Sequence, residues 1–177
     1  MSTILVTGGG SGIGRAIAIG FASPGNLVVV GGRRLENLEA TAARIRAQGA
    51  QALALRMDLL DEASVDAAFD MLRAAIPSLD VLVNNAGIGG GEPVAGSTVA
   101  RWRRIVDTNL TGMYLVTRRA LPMLADGGRV INMSSVLGRF GVSGYTAYCA
   151  SKHAVIGFTR ALALELVKRG ITVNAIC

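Results

Sequence analysis

Short apolar runs rich in β-branched residues recur along this chain, separated by longer stretches of helical periodicity, and this alternation narrows the possible folds more than any other feature. Residues 4–6, 27–30, 52–57, 81–83, 130–133 and 171–176 read as strands. Their apolar residues are continuous rather than alternating, as in parallel strands covered on both faces. Residues 14–21, 35–47, 63–75, 99–124 and 147–169 read as helices. Strand and helix in turn give an α/β fold with a doubly wound parallel sheet between two helical layers. A length of 177 residues fits one domain with a sizeable core, and no internal repeat or linker divides it.

Composition removes several classes of function. Half the residues are apolar and only 17% are charged, which excludes a disordered chain. No apolar run is long enough for a membrane helix, and Met1, Ser2 and Thr3 lead directly into the first strand without a basic flank or cleavage site. The expectation is a cytoplasmic protein without membrane attachment. Cys149 and Cys177 form neither a metal-ligand spacing nor a disulfide framework, so both are read as free thiols. The net charge of +6 is spread over helices without aromatic interleaving, which argues against nucleic acid and suits a phosphate-bearing small molecule or an acidic partner.

The first strand runs into Thr7-Gly8-Gly9-Gly10-Ser11-Gly12-Ile13-Gly14 and then into a helix. Glycines in such a turn let the backbone approach a pyrophosphate, whose charge sits where the first amides of the helix are unpaired. After the second strand comes Gly31-Gly32-Arg33-Arg34, with no acid to accept hydrogen bonds from a ribose 2′-hydroxyl. Two guanidiniums there favour a 2′-phosphate and hence NADP(H) over NAD(H); the plainer alternative is a solvated face opening a helix. Tyr148 and Lys152 stand four residues apart, one turn along the same helix face. A phenol has an ordinary pKa of about 10, and a neighbouring ammonium stabilises the phenolate.

Taken with Asn84-Asn85-Ala86-Gly87 after the fourth strand, Asn109 in a helix and Ser134-Ser135 after the fifth strand, these motifs resemble the single-domain branch of the short-chain dehydrogenase/reductase family. The resemblance runs from Thr3 to Cys177. It implies a Rossmann-type sheet of three layers with strand order 3-2-1-4-5-6, and it implies site residues position by position. Asn109, Ser135, Tyr148 and Lys152 match the family's catalytic residues. In that match Tyr148 protonates a nascent alkoxide, Ser135 binds the carbonyl oxygen and Lys152 serves both Tyr148 and the nicotinamide ribose. Asn109 anchors a water in the proton relay. Gly8, Gly10, Ser11, Gly12, Ile13 and Gly14 match the cofactor turn, and Arg33 and Arg34 the adenosine-phosphate side. Asp58 and Leu59 match the adenine-contacting pair, while Asn85, Ala86 and Gly87 match the wall beside the ribose.

The chain departs from the family at its end. Asn174-Ala175-Ile176-Cys177 stops where family members continue into a substrate lid and a seventh strand, so residues 1–177 are read as a catalytic domain lacking both, a fragment or the ordered part of a longer protein. Strand six would then end the sheet as an apolar edge. The helix over 153–167 is apolar on more than one stripe, which suits either a homodimer or homotetramer contact or complete burial within its own domain. The functional expectation is an NADPH-dependent reductase of a small carbonyl substrate, a 3-oxoacyl thioester or polyketide-like ketone, with an acyl chain bound to a carrier protein as one form of that substrate. A secondary-alcohol, sugar or steroid dehydrogenase is the alternative within the family, and a non-catalytic NADP(H)-binding or scaffold module the alternative outside it. His153 and Trp102 are read as structural, and Cys149 as a packing thiol beside the tyrosine.

Overall fold

The central strands of this protein are apolar on both faces because each face meets a different layer. The computed structural model describes residues 2–177. In chain order its main elements are β1 (Thr3–Thr7), α1 (Gly12–Gly20), β2 (Leu27–Gly32), α2 (Leu35–Arg46), β3 (Gln51–Arg56), α3 (Glu62–Ala75) and β4 (Leu79–Asn84). Then come α4 (Val99–Val106), α5 (Gly112–Ala120), β5 (Leu124–Met133), α6 (Thr146–Glu165) and β6 (Thr172–Ile176). The six strands form one parallel sheet ordered β3-β2-β1-β4-β5-β6, as the motifs imply.

Alternate residues of one strand enter opposite cores. Ile4 and Val6 of β1 join Val28 and Val30 of β2 against Ala18 of α1 and Leu38, Ala42 and Ile45 of α2. Leu5 and Val29 point the other way, toward Phe69 and Leu72 of α3, Val116 and Ala120 of α5, and Leu162 of α6. Phe69 and its aliphatic neighbours are fully buried there, the condition under which a large side chain contributes about 2–3 kcal/mol by leaving water.

Two boundaries differ from the sequence reading. The helix expected over 99–124 carries a π-turn at Asp107–Thr111 and ends at Ala120, and β5 starts at Leu124 rather than at residue 130. The pairing with β4 slips between Leu79 and Val81, which accommodates the glycines at 127 and 128 inside a strand. Carbonyls left unpaired beyond α5 are taken by Arg169, whose guanidinium donates to the oxygens of Leu121 and Leu124 and pairs with Asp126. At the far end, α6 stops before a 3-10 turn closed by Gly170 at φ +61, a left-handed position that suits glycine. Among the described residues, no helix is long and apolar enough to cross a membrane.

Candidate active site

The sheet order reverses between β1 and β4, and the loops leaving these two strands are bound to one another. Thr7 Oγ1 accepts hydrogen bonds from the amides of Asn85 (3.0 Å) and Ala86 (3.1 Å), and Asn85 Nδ2 donates to the Thr7 carbonyl at 3.0 Å. Such a reversal opens a crevice at the carboxyl ends of the strands, where α/β folds bind ligands. Gly8 turns the chain at φ +69. A Cβ on Gly14 would collide with the Gly8 carbonyl and with Asn85 Nδ2, so the helix approaches the turn more closely than any side chain permits. Arg15 fixes the turn from behind, donating to the Gly10 carbonyl at 2.5 Å and to Thr41 Oγ1 at 3.1 Å.

The crevice is a cleft of about 560 Å³, and it gathers most of the residues marked by the sequence. Gly8, Gly10, Ser11, Gly12, Ile13 and Gly14 line it from the first turn, Arg33 and Arg34 after β2, and Asp58 and Leu59 after β3. Asn85, Ala86 and Gly87 enter after β4, and Tyr148 and Lys152 from α6. Ser135 and Asn109 are not on its wall. Ser134, which directly precedes the matched Ser135, does line the cleft, as do Arg104 and Thr108. The i, i+4 spacing of Arg104 and Thr108, directly before Asn109, is the signal that would have marked them.

At the catalytic end, Lys152 is 5% exposed and its Nζ donates to the Met133 carbonyl at 2.7 Å. Burial with no carboxylate partner penalises the ammonium and brings its pKa down from 10.5 to about 8. The same Nζ lies 5.8 Å from the centroid of the Tyr148 ring. Ser134 Oγ donates to the Lys152 carbonyl at 2.9 Å, tying α6 to the end of β5. Ser135 Oγ accepts from the Leu137 amide at 3.1 Å, a bond that uses a lone pair and leaves its own proton free.

Asn109 lies in the π-turn, buried, with both ends of its amide engaged. Its Oδ1 accepts from the Ile88 amide at 2.8 Å, and its Nδ2 donates to the Ile88 carbonyl at 2.9 Å and to Ser151 Oγ at 3.1 Å. These contacts hold the segment after Gly87 against the catalytic helix. Gly87 itself sits between the two groups: a Cβ there would lie 3.0 Å from Asn109 Oδ1 and 3.6 Å from Lys152 Nζ. His153 turns away, its Nδ1 within 2.9 Å of the Cys149 carbonyl, and neither it nor the buried Cys149 lines the cleft. No group of three or more potential metal ligands occurs among the described residues.

Comparison with known proteins places this geometry among relatives. The family model described as short chain dehydrogenase matches residues 2–177. A monensin polyketide synthase putative ketoacyl reductase from Streptomyces virginiae is 42% identical over 177 residues, covering 98% of this chain and 68% of its own length. The 3-oxoacyl-(acyl-carrier-protein) reductase FabG of Aquifex aeolicus is 39% identical over 175 residues, covering 97% of this chain and 71% of its own. A crystal structure of a point variant of actinorhodin polyketide ketoreductase with NADPH superposes with a TM-score of 0.94 at 41% identity, over 99% of this chain and 69% of that one.

Proposed function

Because the chain belongs to the short-chain dehydrogenase/reductase family, we propose that it is an NADPH-dependent reductase that converts a ketone, a 3-oxoacyl thioester or polyketide-like ketone, to a secondary alcohol. The observation that carries this reading is the convergence of Tyr148 and the buried Lys152 on one end of a cleft whose other end is a glycine turn followed by two arginines. The cleft suits a dinucleotide: at Gly12, on its wall, a Cβ would meet no protein atom within 4 Å, and no acid is adjacent in sequence to Arg33 or Arg34 to repel a 2′-phosphate. NADPH, when bound, supplies the hydride.

The chain's own groups handle the proton and the oxygen. Tyr148 is the general acid, giving its phenolic proton to the developing alkoxide. Lys152, still largely protonated at neutral pH with a pKa of about 8, stabilises the phenolate left behind. The free proton of Ser135 Oγ donates to the carbonyl oxygen and holds it toward Tyr148, since the lone pair used by Leu137 leaves that donor available. Asn109 keeps Ile88 and Ser151 in register so that the cleft wall and the catalytic helix do not drift apart.

Substrate delivered as an acyl chain on a carrier protein fits the ketoacyl reductases among the relatives. A homo-oligomeric contact on α6 is supported by Leu164 and Val167, which are 78% and 66% exposed at and just beyond the end of the helix. The test is a carbonyl screen that follows oxidation of NADPH and, in parallel, of NADH. Turnover of 3-oxo esters or thioesters with NADPH is expected. Nucleotide binding with no carbonyl turned over would instead make the protein a sensor or scaffold, and preference for NADH would overturn the cofactor assignment.

A further inference from the structure

Between β4 and α4 the backbone passes the catalytic tyrosine as three consecutive glycines, 89–91, with no side chain to hold it in place. The close approaches are specific. A Cβ on Gly91 would lie 2.7 Å from Tyr145 Cε2, one on Gly90 2.8 Å from Arg101 Nη2, and one on Gly89 3.8 Å from Tyr148 Cε2. Glycine has the largest backbone entropy to lose, so a run of three stays seated only if its ends are anchored. Asn109 anchors the first end through both polar groups of Ile88.

Glu92 anchors the other end in two directions. Its amide donates to the Gly144 carbonyl at 2.5 Å, in the loop before the catalytic helix. Its carboxylate Oε2 lies 3.1 Å from Arg101 Nε on α4. That oxygen is shielded from solvent and has no aligned hydrogen bond, so Arg101 is its nearest counter-charge. Arg101 does two things at once, neutralising Glu92 and blocking the space above Gly90.

We propose that the Glu92–Arg101 pair, with the Glu92–Gly144 backbone bond, is a latch that seats the 89–91 strap against Tyr145 and Tyr148 and thereby sets the size of ketone that reaches Tyr148. Its residues are positioning residues: they act through the strap and touch neither cofactor nor reacting atoms. The substrate half of the proposal rests on the reductase reading above. The structural half does not, because Trp102, the single tryptophan of the chain, lines the same small hollow as Gly90, Glu92, Arg101 and Gly144. Its fluorescence reports the latch whether or not a ketone is reduced.

The experiment compares wild type, Glu92→Gln, Arg101→Met and the charge swap Glu92→Arg with Arg101→Glu. It reads Trp102 emission, NADPH affinity, and KM and kcat for ethyl acetoacetate and the bulkier 1-tetralone. Each single variant is expected to shift the emission and to move the kcat/KM ratio of the two ketones toward tetralone two- to fivefold, about 0.4 to 1 kcal/mol, through KM. Neither kcat nor NADPH affinity should change by more than about twofold, an expectation set by the small energies of partly exposed pairs. The swap should bring emission and ratio back toward wild type. Single variants indistinguishable from wild type in both readouts would overturn the latch, as would a swap that restores neither. Loss of NADPH affinity in step with KM would overturn it too, since that marks general loosening. If wild type reduces neither ketone, the reductase reading falls, while the emission shift and its reversal still decide whether the latch exists.

Discussion

Lys152 is held in a place that costs the fold something, and replacing it with Met measures how much. The ammonium is 5% exposed, and its pKa falls from 10.5 to about 8 because burial disfavours the charge. At pH 7, below both values, the lysine is protonated in the folded and unfolded chains, and the folded state bears the full penalty, about 3 kcal/mol. As pH rises from 8 toward 10.5 the folded chain sheds this proton first and the penalty fades, leaving about 1.5 kcal/mol at pH 9.5. Methionine removes the penalty but leaves the Met133 carbonyl without its donor, a loss of about 1 to 2 kcal/mol. The net expectation for the cofactor-free protein at pH 7 is a gain of about 1 to 2 kcal/mol, or about 3 to 6 °C in melting temperature for a domain of this size. Urea titrations at pH 7 and pH 9.5 check it, and the gain should shrink to nearly nothing at the higher pH. Turnover should be lost at both. A variant less stable than wild type at pH 7, or a stability difference that ignores pH, would refute the claim that the lysine is kept against the fold's preference.

Tyr148→Phe should lower kcat by about two to four orders of magnitude, the usual range for a positioned acid, with little change in NADPH affinity by equilibrium titration. Arg33→Ala should remove most of a NADPH over NADH preference that is about tenfold or more in the wild type, leaving NADH affinity nearly unchanged. Gly14→Ala should destabilise the fold by about 1 to 3 kcal/mol in denaturant and weaken cofactor binding, because its methyl meets the Gly8 carbonyl and Asn85.

The parallel sheet was legible because both faces of the central strands β1 and β2 are buried, which writes itself into sequence as continuous apolar runs such as 27–30. The glycine turn and the Tyr148–Lys152 pair were legible because their geometry is local, a turn and one helical repeat. Other features depend on partners distant in sequence. Asn109 sits in a π-turn together with contacts to Ile88 and Ser151, and nothing in the local pattern of 99–124 marks that break. The early start of β5 was hidden because Asp126, Gly127 and Gly128 have turn composition and Gly127 takes φ +78, while the strand is carried across them by the flanking pairs Leu79–Leu124 and Val81–Arg129 with β4. Glu92 and Arg101 read as two unrelated charges until the strap folds back over α4.

Hydride transfer itself is the most direct test of the central claim. Incubating the protein with NADPH deuterated at the nicotinamide C4, on either face in separate runs, and a 3-oxoacyl thioester should place deuterium on the new carbinol carbon from one face only. Tyr148→Phe should slow this reaction severely while still binding the cofactor. If the wild type binds NADPH but leaves deuterium on the nicotinamide with every ketone offered, or if Tyr148→Phe transfers it at the wild-type rate, the account of this cleft as a tyrosine-driven ketone reductase is contradicted.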